Sequence, residues 1–476
     1  MQRGRLAAGS LASLLGEWRT DEPAYEALAE RIRMLLIDGR ISADVRLPSE
    51  RELSERLDLS RTTVTAAYRR LRDGGYARSL QGSGTTTTLP RGTAHSGQAP
   101  DGLLDLTKAT LPATRLLSDA ARRATDDLAA HLGGSGYHLV GLPELREAIA
   151  QRYTRRGLPT TAEQVFVTSG AQSAIALLAR TVVSRGDRAF VESPSYPHAY
   201  DALALAGARI VTSPVTPEAG WDMPALEATI RRTTPVLAYV MPDFQNPTGR
   251  SMSDDDRDRL LSAAASVDAI VAADETTAEL SLDRRESHPP LGSRAERHGA
   301  RVVHIGSASK LFWGGLRIGW LRADTELVER LTAARTATDL GTSVWDQLVV
   351  AHLLPDADAV VDERRAQLTA LREALRTAVN RLLPDWRLPP GPHGGLVTWI
   401  QLPSPSSSQL VLAAQSRGIL LTAGPRFGVD GAYERYLRIP LALSPEQLTE
   451  AIEVLADLWP RVAGTPAFAG AGRAVV

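Results

Sequence analysis

Apolar positions change their period along this chain, and the changes divide it. Near the front, Tyr25, Leu28, Ile32, Leu35 and Leu36 recur at three- and four-residue spacing, the stripe of an amphipathic helix. Leu47-Pro-Ser49-Glu-Arg-Glu52 then supplies a helix start, with Ser49 as N-cap and Glu52 as its capping-box partner, and the helix runs through Leu53 and Leu57. Asp58-Leu-Ser60 makes a tight turn, Ser60 caps a third helix from Arg61 to about Arg72, and Gly74-Gly75 stops it. Tyr76 to Thr88 reads as a β-hairpin with its tip at Gln81-Gly82-Ser83-Gly84. Three helices, a tight turn before the third and a hairpin after it describe a winged helix-turn-helix over residues 22–88.

Residues 89–102 lack periodicity and read as a linker, able to reach at most about 46 Å when extended. From 103 to 462 helical stretches alternate with short apolar runs. Gln164–Thr168, Arg188–Val191, Val236–Val240, Ala269–Ala273 and Val302–Ile305 are the expected strands of a largely parallel sheet covered by helices. Beyond about 350, helices mix with strands such as Leu396–Gln401, as in a smaller α/β subdomain. The Gly/Ala-rich tail, 463–476, is expected to be disordered, and no internal repeat is present.

Composition removes several classes of function. With no cysteine there are no disulfides, thiolate metal sites or cysteine nucleophiles, and a reducing compartment suits the chain. No run of about 18 apolar residues offers a membrane span, and Gly and Ser break up the apolar stretch after Arg3 and Arg5 as a signal peptide would not. A cytoplasmic protein without a metal site is expected. The formal net charge of −1 conceals a local excess: Arg61, Arg69, Arg70, Arg72, Arg78 and Arg91 face a single acid, Asp73, between Ser60 and Arg91. Such a +5 patch is the footprint of phosphate contacts, so the front segment is expected to bind double-stranded DNA.

Of the 54 basic residues only Lys108 and Lys310 are lysine, and Lys310 follows an apolar strand within Ser307-Ala-Ser-Lys310, seven residues before Arg317. A primary amine forms a Schiff base with an aldehyde, whereas a guanidinium does not. The other strand ends carry complementary groups. Ser169-Gly170-Ala171 opens a helix as a phosphate cradle. Tyr196 offers an aromatic ring, Asn246 a side-chain amide and Asp274 a carboxylate. Phosphate donors, a ring stacker, an amide for a phenolic oxygen, a carboxylate for a pyridinium and a lysine are what bound pyridoxal phosphate requires.

Asn246-Pro-Thr-Gly249, Ser307-Ala-Ser-Lys310 and Arg317 resemble the signatures of fold-type-I, aspartate-aminotransferase-like enzymes. Leu47-Pro-Ser-Glu-Arg-Glu-Leu53 and Leu59-Ser-Arg-Thr-Thr-Val64 resemble the GntR-family winged helix. In this order, over nearly the whole chain, the two resemble the MocR/GabR-type bacterial regulators; Tyr137–Arg146 and Thr168–Gln172 are similar to that family too. The implied fold is α/β: an N-terminal winged helix-turn-helix plus a fold-type-I domain with a large parallel-sheet part and a smaller α/β subdomain.

That resemblance implies roles. Lys310 forms the internal aldimine, Asp274 keeps the pyridine nitrogen protonated, Asn246 bonds the phenolic oxygen and Tyr196 stacks on the ring. Ser169, Gly170, Ala171, Ser307, Ser309 and Arg317 hold the phosphate, and Tyr137 reaches the phosphate of a partner subunit in a homodimer. Arg438 grips the α-carboxylate of an amino acid. On DNA, Arg61, Thr62, Thr63 and Thr65 face base edges beside the capping Ser60, while Arg51, Gln81 and Gly82 fix position. Two departures qualify the match. Thr276 and Thr277 stand where family members carry a tyrosine that supports the phenolic oxygen, which weakens catalytic ability. His198 stands where members recognising an ω-amino acid have arginine, which argues against a GABA-like effector.

The leading expectation is a pyridoxal-phosphate-dependent DNA-binding regulator that senses an amine, an amino acid or the cofactor itself. The alternatives are a working aminotransferase with an accessory DNA-binding domain, and a DNA-binding protein with a decayed enzyme domain.

Overall fold

The computed structural model of the chain describes residues 5–16, 18–19, 23–37, 41, 45–80, 84–88, 103–283, 288–390, 394–429 and 432–463. Gln81 and Gly82 of the expected wing tip, the linker 89–102 and the tail from 464 lie outside the described residues.

The front module contains α1 (Ala8–Leu15), α2 (Ala24–Ile37), α3 (Glu50–Leu57) and α4 (Arg61–Asp73), then the antiparallel strands β1 (Ala77–Leu80) and β2 (Gly84–Thr87). Both halves of the expected capping box form: Glu52 N–H donates to Ser49 Oγ at 3.2 Å and Ser49 N–H to Glu52 Oε2 at 2.9 Å. Asp58 ends α3 in the left-handed conformation (φ 52°), which turns the chain into Ser60, the N-cap of α4. The hairpin gains a further partner from the segment before α3, where Leu47 N–H donates to Thr85 O and Thr87 N–H to Val45 O. The core joins Leu28, Ile32, Leu35, Leu53, Val64, Tyr68 and Leu71 to Leu11, Leu15 and Trp18. The last three precede residue 22, where the sequence pattern placed the start of this module. Gly9, Ser10 and Ser13 dilute the helical stripe of α1, and packing makes the helix instead.

The second body holds β3 (Leu104–Asp105), β4 (Val165–Thr168), β5 (Arg188–Ser193), β6 (Arg209–Thr216), β7 (Gly220–Trp221), β8 (Leu237–Val240), β9 (Ile270–Asp274), β10 (Arg301–Ser307) and β11 (Gly319–Arg322). All but β3 form an eight-stranded sheet ordered β4-β11-β10-β9-β8-β5-β6-β7. From β10 to β6 the strands run parallel, while β11 is antiparallel to both neighbours and β7 to β6. Both faces are buried. Val191, Tyr239, Ala272 and Ile305 pack on one side, and Phe190, Ala238, Val240 and Val271 on the other.

The smaller sheet has the order β12 (Val397–Gln401), β15 (Tyr436–Pro440), β14 (Thr422–Ala423). It shares a core with helices Ala357–Leu382 and Pro445–Ala463. β13 (Ile419–Leu420) pairs in parallel with β3, so the segment that begins at 103 is tied to the smaller subdomain before the chain enters the large sheet.

Candidate cofactor and DNA-binding sites

The C-terminal ends of β5, β8, β9 and β10 place the chemistry together, as expected of an open parallel sheet. β10 ends at Ser307, whose hydroxyl accepts from Ser309 N–H at 3.1 Å and so starts the turn Ala308–Leu311 that carries Lys310. The Lys310 amine donates to the Ala109 carbonyl at 2.9 Å. Burial pushes that amine down to about 8, the charges of Arg438 and Arg317 add to the effect, and Asp274 opposes it. A lysine in this state supplies neutral, nucleophilic amine near neutral pH.

Asp274, the last residue of β9, is buried, and both its oxygens are engaged. Oδ2 accepts from the Tyr239 hydroxyl at 2.6 Å, and Oδ1 from Thr276 N–H at 3.0 Å and its hydroxyl at 2.7 Å. Burial raises the carboxyl above its ordinary range while these donors and Lys310 pull it back. Tyr239 was invisible in the sequence because it lies inside an apolar strand. Of the two threonines that replace the family tyrosine, Thr276 is thus taken up by Asp274, while the Thr277 hydroxyl is buried without a partner. Asn246 Oδ1 is likewise buried and unpartnered.

Along the same edge of the sheet, Gly170 (φ 87°) opens the helix Ala171–Val182, whose first N–H groups are unused within the helix. Arg317 donates to Ser169 O at 3.2 Å and to Gly314 O at 3.3 Å. Only glycine fits there: a Cβ on Gly170 would stand 2.6 Å from the Arg317 guanidinium, and one on Gly319 2.4 Å from the Gly170 carbonyl carbon. Ser169, Gly170, Ala171, Ser307, Ser309 and Arg317 therefore meet where β4, β10 and β11 adjoin. Helix N–H groups, hydroxyls and a guanidinium are the donor types an anion site requires.

Tyr196 lies in the same field. Burial pushes its phenol up to about 12, the charge of Asp274 adds to this, and Arg438 and Arg317 oppose it. Arg438 on β15 is 7% exposed, with its guanidinium carbon 5.0 Å from the centre of the Phe427 ring. One nitrogen donates to the Thr107 carbonyl, while Nε is buried without a partner. Burial lowers this guanidinium to about 10, in spite of Tyr196 and Asp105. His198 is exposed, its ring edge-on to Tyr196 at 5.3 Å and beside Asp201, which also pairs with Arg426 at 2.9 Å. Tyr137 stands apart at 67% exposure.

On the front module, Arg61, Thr62 and Thr65 are exposed along the first turns of α4, and Arg51 is exposed on α3. Thr63 is less available: its N–H and hydroxyl both meet Ser60 Oγ, at 3.0 and 2.7 Å. Thr65 bonds Glu50 at 2.8 Å, an acid beside the expected reading face that no sequence motif marks.

A buried amide and hydroxyl without partners, a backbone cradle closed to any Cβ, and a lysine facing a carboxylate fit pyridoxal phosphate. A winged helix joined to such a domain defines a class of transcription regulators built on an aminotransferase fold. The chain belongs to the aminotransferase class I and II family, which it matches over residues 105–455, and to that family's MocR-type regulators, with a gntR-family bacterial regulatory domain matched over 24–86. It is 31% identical over 404 residues to the probable rhizopine catabolism regulatory protein MocR of Rhizobium meliloti, covering 77% of this chain and 79% of that one. Against the uncharacterized HTH-type transcriptional regulator YdfD of Bacillus subtilis identity is 26%, over 90% of this chain and 95% of the relative. Among solved structures it resembles LysN, the alpha-aminoadipate aminotransferase of Thermus thermophilus complexed with N-(5'-phosphopyridoxyl)-L-leucine. That match has a TM-score of 0.70 and 28% identity, over 76% of this chain and 93% of that one. The protein is a pyridoxal-phosphate-dependent, DNA-binding transcription regulator. Among the described residues no helix is long and apolar enough to cross a membrane.

Proposed function

We propose that this regulator senses a small primary amine carrying a carboxylate, an amino acid in the simplest case, at the cleft between Lys310 and Arg438. When bound, pyridoxal phosphate supplies an aldehyde that captures primary amines. Lys310 provides the resident amine. Asp274 would hold a proton at the ring nitrogen, Asn246 would donate to the phenolic oxygen, and Tyr196 would cover one face. Ser169, Gly170, Ala171, Ser307, Ser309 and Arg317 anchor the phosphate. Arg438 takes the carboxylate through its unpartnered edge.

The observation that carries this reading is that Lys310 and Arg438 are both tied to one segment. Lys310 bonds the Ala109 carbonyl and Arg438 the Thr107 carbonyl. Cofactor loading on Lys310 would draw the amine from the Ala109 carbonyl, an incoming amine would free it again, and a carboxylate would compete for the guanidinium that holds Thr107, all on the stretch that follows the DNA-binding module in the chain. DNA affinity then shifts by the ligand's preference for one arrangement over the other, typically ~1–3 kcal/mol. Turnover is not required, and the lack of a phenol at Thr276 and Thr277 disfavours it.

The DNA-binding domain of this reading takes in the helix Ala8–Leu15 ahead of the expected limits 22–88, and the cofactor domain keeps the limits 103–462. A homodimer is part of the proposal: Tyr137 and Leu132, at 67% and 72% exposure, offer a surface for a second copy. Amino acids are titrated while the visible absorbance of lysine-bound cofactor and operator affinity are followed together. Both should move with the same midpoint. Operator affinity that ignores every amino acid yet follows cofactor loading would overturn the reading in favour of pyridoxal phosphate as the signal. Rapid, complete transamination would favour an enzyme. Borohydride should fix the cofactor on the peptide containing Lys310, and sedimentation should show a dimer.

A further inference from the structure

Beneath the loops that carry Tyr196 and Asn246 lies a buried polar bridge. Glu192, near the C-terminal end of β5, is 0% exposed. Its Oε1 accepts from the Trp221 indole N–H at 2.7 Å. Its Oε2 accepts from Met241 N–H at 3.1 Å and from the Gln245 side-chain amide at 3.4 Å. Gln245, also 0% exposed, donates again to the Pro194 carbonyl at 2.6 Å. Its Oε1 accepts from Thr248 N–H at 3.0 Å and from the Thr248 hydroxyl at 2.7 Å.

One amide thus reaches from Pro194, two residues before Tyr196, to Thr248, two residues after Asn246. Its donors and its acceptor are all used, whereas the neighbouring Asn246 Oδ1 is buried with no partner. The support is saturated and the group it carries is left open, as in a site whose first contacts are held by a rigid second layer. A buried carboxylate is a costly way to fill space. Burial, helped by the charge of Asp274, pushes Glu192 up to about 7 against the hydrogen bonds it accepts. An apolar residue would pack there at less expense. The indole and main-chain donors do fix its orientation, and through it that of Gln245.

We propose that Glu192 and Gln245 are positioning residues that set the separation of Tyr196 from Asn246, and through it the affinity for pyridoxal phosphate and the protonation of the lysine-bound cofactor. The inference rests on the assignment of Asn246 and Tyr196 to the cofactor made above. It makes the carboxylate and amide beneath them part of the binding site although neither touches the ligand.

Three measurements on the full-length protein test it: melting temperature without cofactor, the dissociation constant of pyridoxal phosphate by equilibrium dialysis, and the pH midpoint of the visible absorbance change. Gln245→Met keeps the bulk and removes the bonds. It should raise the dissociation constant by about tenfold and move the midpoint in the direction set by Asn246→Ala. The double variant should move both little beyond Asn246→Ala alone, since the two act through one contact. Glu192→Gln, which turns an amide toward two N–H donors, should do the same in weaker form. If Gln245→Met does not fold, Thr248→Val removes one donor to Gln245 and should give smaller shifts of the same sign. Wild-type affinity and midpoint in a folded Gln245→Met protein, or losses fully additive with Asn246→Ala, would overturn the bridge. An Asn246→Ala protein indistinguishable from wild type would overturn the assignment of Asn246 itself, and the bridge with it.

Discussion

Replacing Arg438 with methionine should make the ligand-free protein more stable and the ligand-bound protein less so. The guanidinium is 7% exposed and burial lowers it well below its ordinary value, to about 10, so its charged form is disfavoured in the fold by on the order of 3 kcal/mol. Because the folded state holds that proton more weakly than the unfolded chain, the penalty acts in full at every pH below about 10. Against it stand the hydrogen bond to Thr107, worth ~1 kcal/mol, and the contact with the Phe427 ring, worth ~1 kcal/mol. The balance leaves Arg438→Met ahead by ~1 kcal/mol, an upward shift in Tm of roughly 2 °C for a domain of this size. An amino acid at a hundred times its dissociation constant stabilises the wild-type protein by ~2.7 kcal/mol, and the variant should lose most of that. Melting curves with equal cofactor loading, with and without amino acid, should therefore cross over. If the variant melts lower without ligand, the arginine is a structural tie and the reasoning fails. If amino acids stabilise the variant as they do the wild type, the carboxylate binds elsewhere.

Lys310 makes a related prediction with a pH signature. Its folded value of about 8, below the ordinary 10.5, means that Lys310→Met should stabilise the cofactor-free protein by on the order of 3 kcal/mol below pH 8. That gain should fade between pH 8 and 10.5, because there the folded lysine is already neutral; denaturant titrations showing a constant gain would refute the cause assigned to the shift. On DNA, Arg61→Ala should cost ~1–3 kcal/mol of specific binding if the side chain meets a base edge, read by gel shift against a scrambled operator. Unchanged sequence preference would remove Arg61 from the reading face. Leu15→Ala, in α1, should destabilise the DNA-binding module by ~2–5 kcal/mol, since Leu15 is 0% exposed in its core. An unchanged melting transition for that module would show that α1 is dispensable.

The features legible in the sequence are those set by near neighbours or by chain order. Ser49 and Glu52 announce a helix start because the two halves of the capping box are three residues apart. Asp274, Asn246 and Lys310 could be read because a parallel sheet brings successive strand ends to one edge, so order along the chain becomes proximity in space. β11 was missed because Gly319–Arg322 follows a glycine-rich turn and is held as a strand by β4 and β10. Tyr239 and the Glu192–Gln245 bridge escaped for a different reason. Their partners lie 35 and 53 residues away, and each sits where an apolar strand or a turn already accounts for its neighbours.

The same distinction separates the two cations of the cleft. Lys310 stood out because the chain uses arginine nearly everywhere else, and only a primary amine can condense with the cofactor's aldehyde. Arg438 had no such contrast in a chain with dozens of arginines. The family resemblance alone named it, and the structure adds a buried guanidinium nitrogen without a partner, which no one-dimensional pattern records. A polar group left open in a dry cleft lowers stability, and a fold keeps it where a ligand completes it. By that criterion Arg438 Nε, a donor, is open to an effector's carboxylate, while the open Asn246 Oδ1 marks the amide whose N–H the proposal turns toward the cofactor, with Lys310 between their two functions.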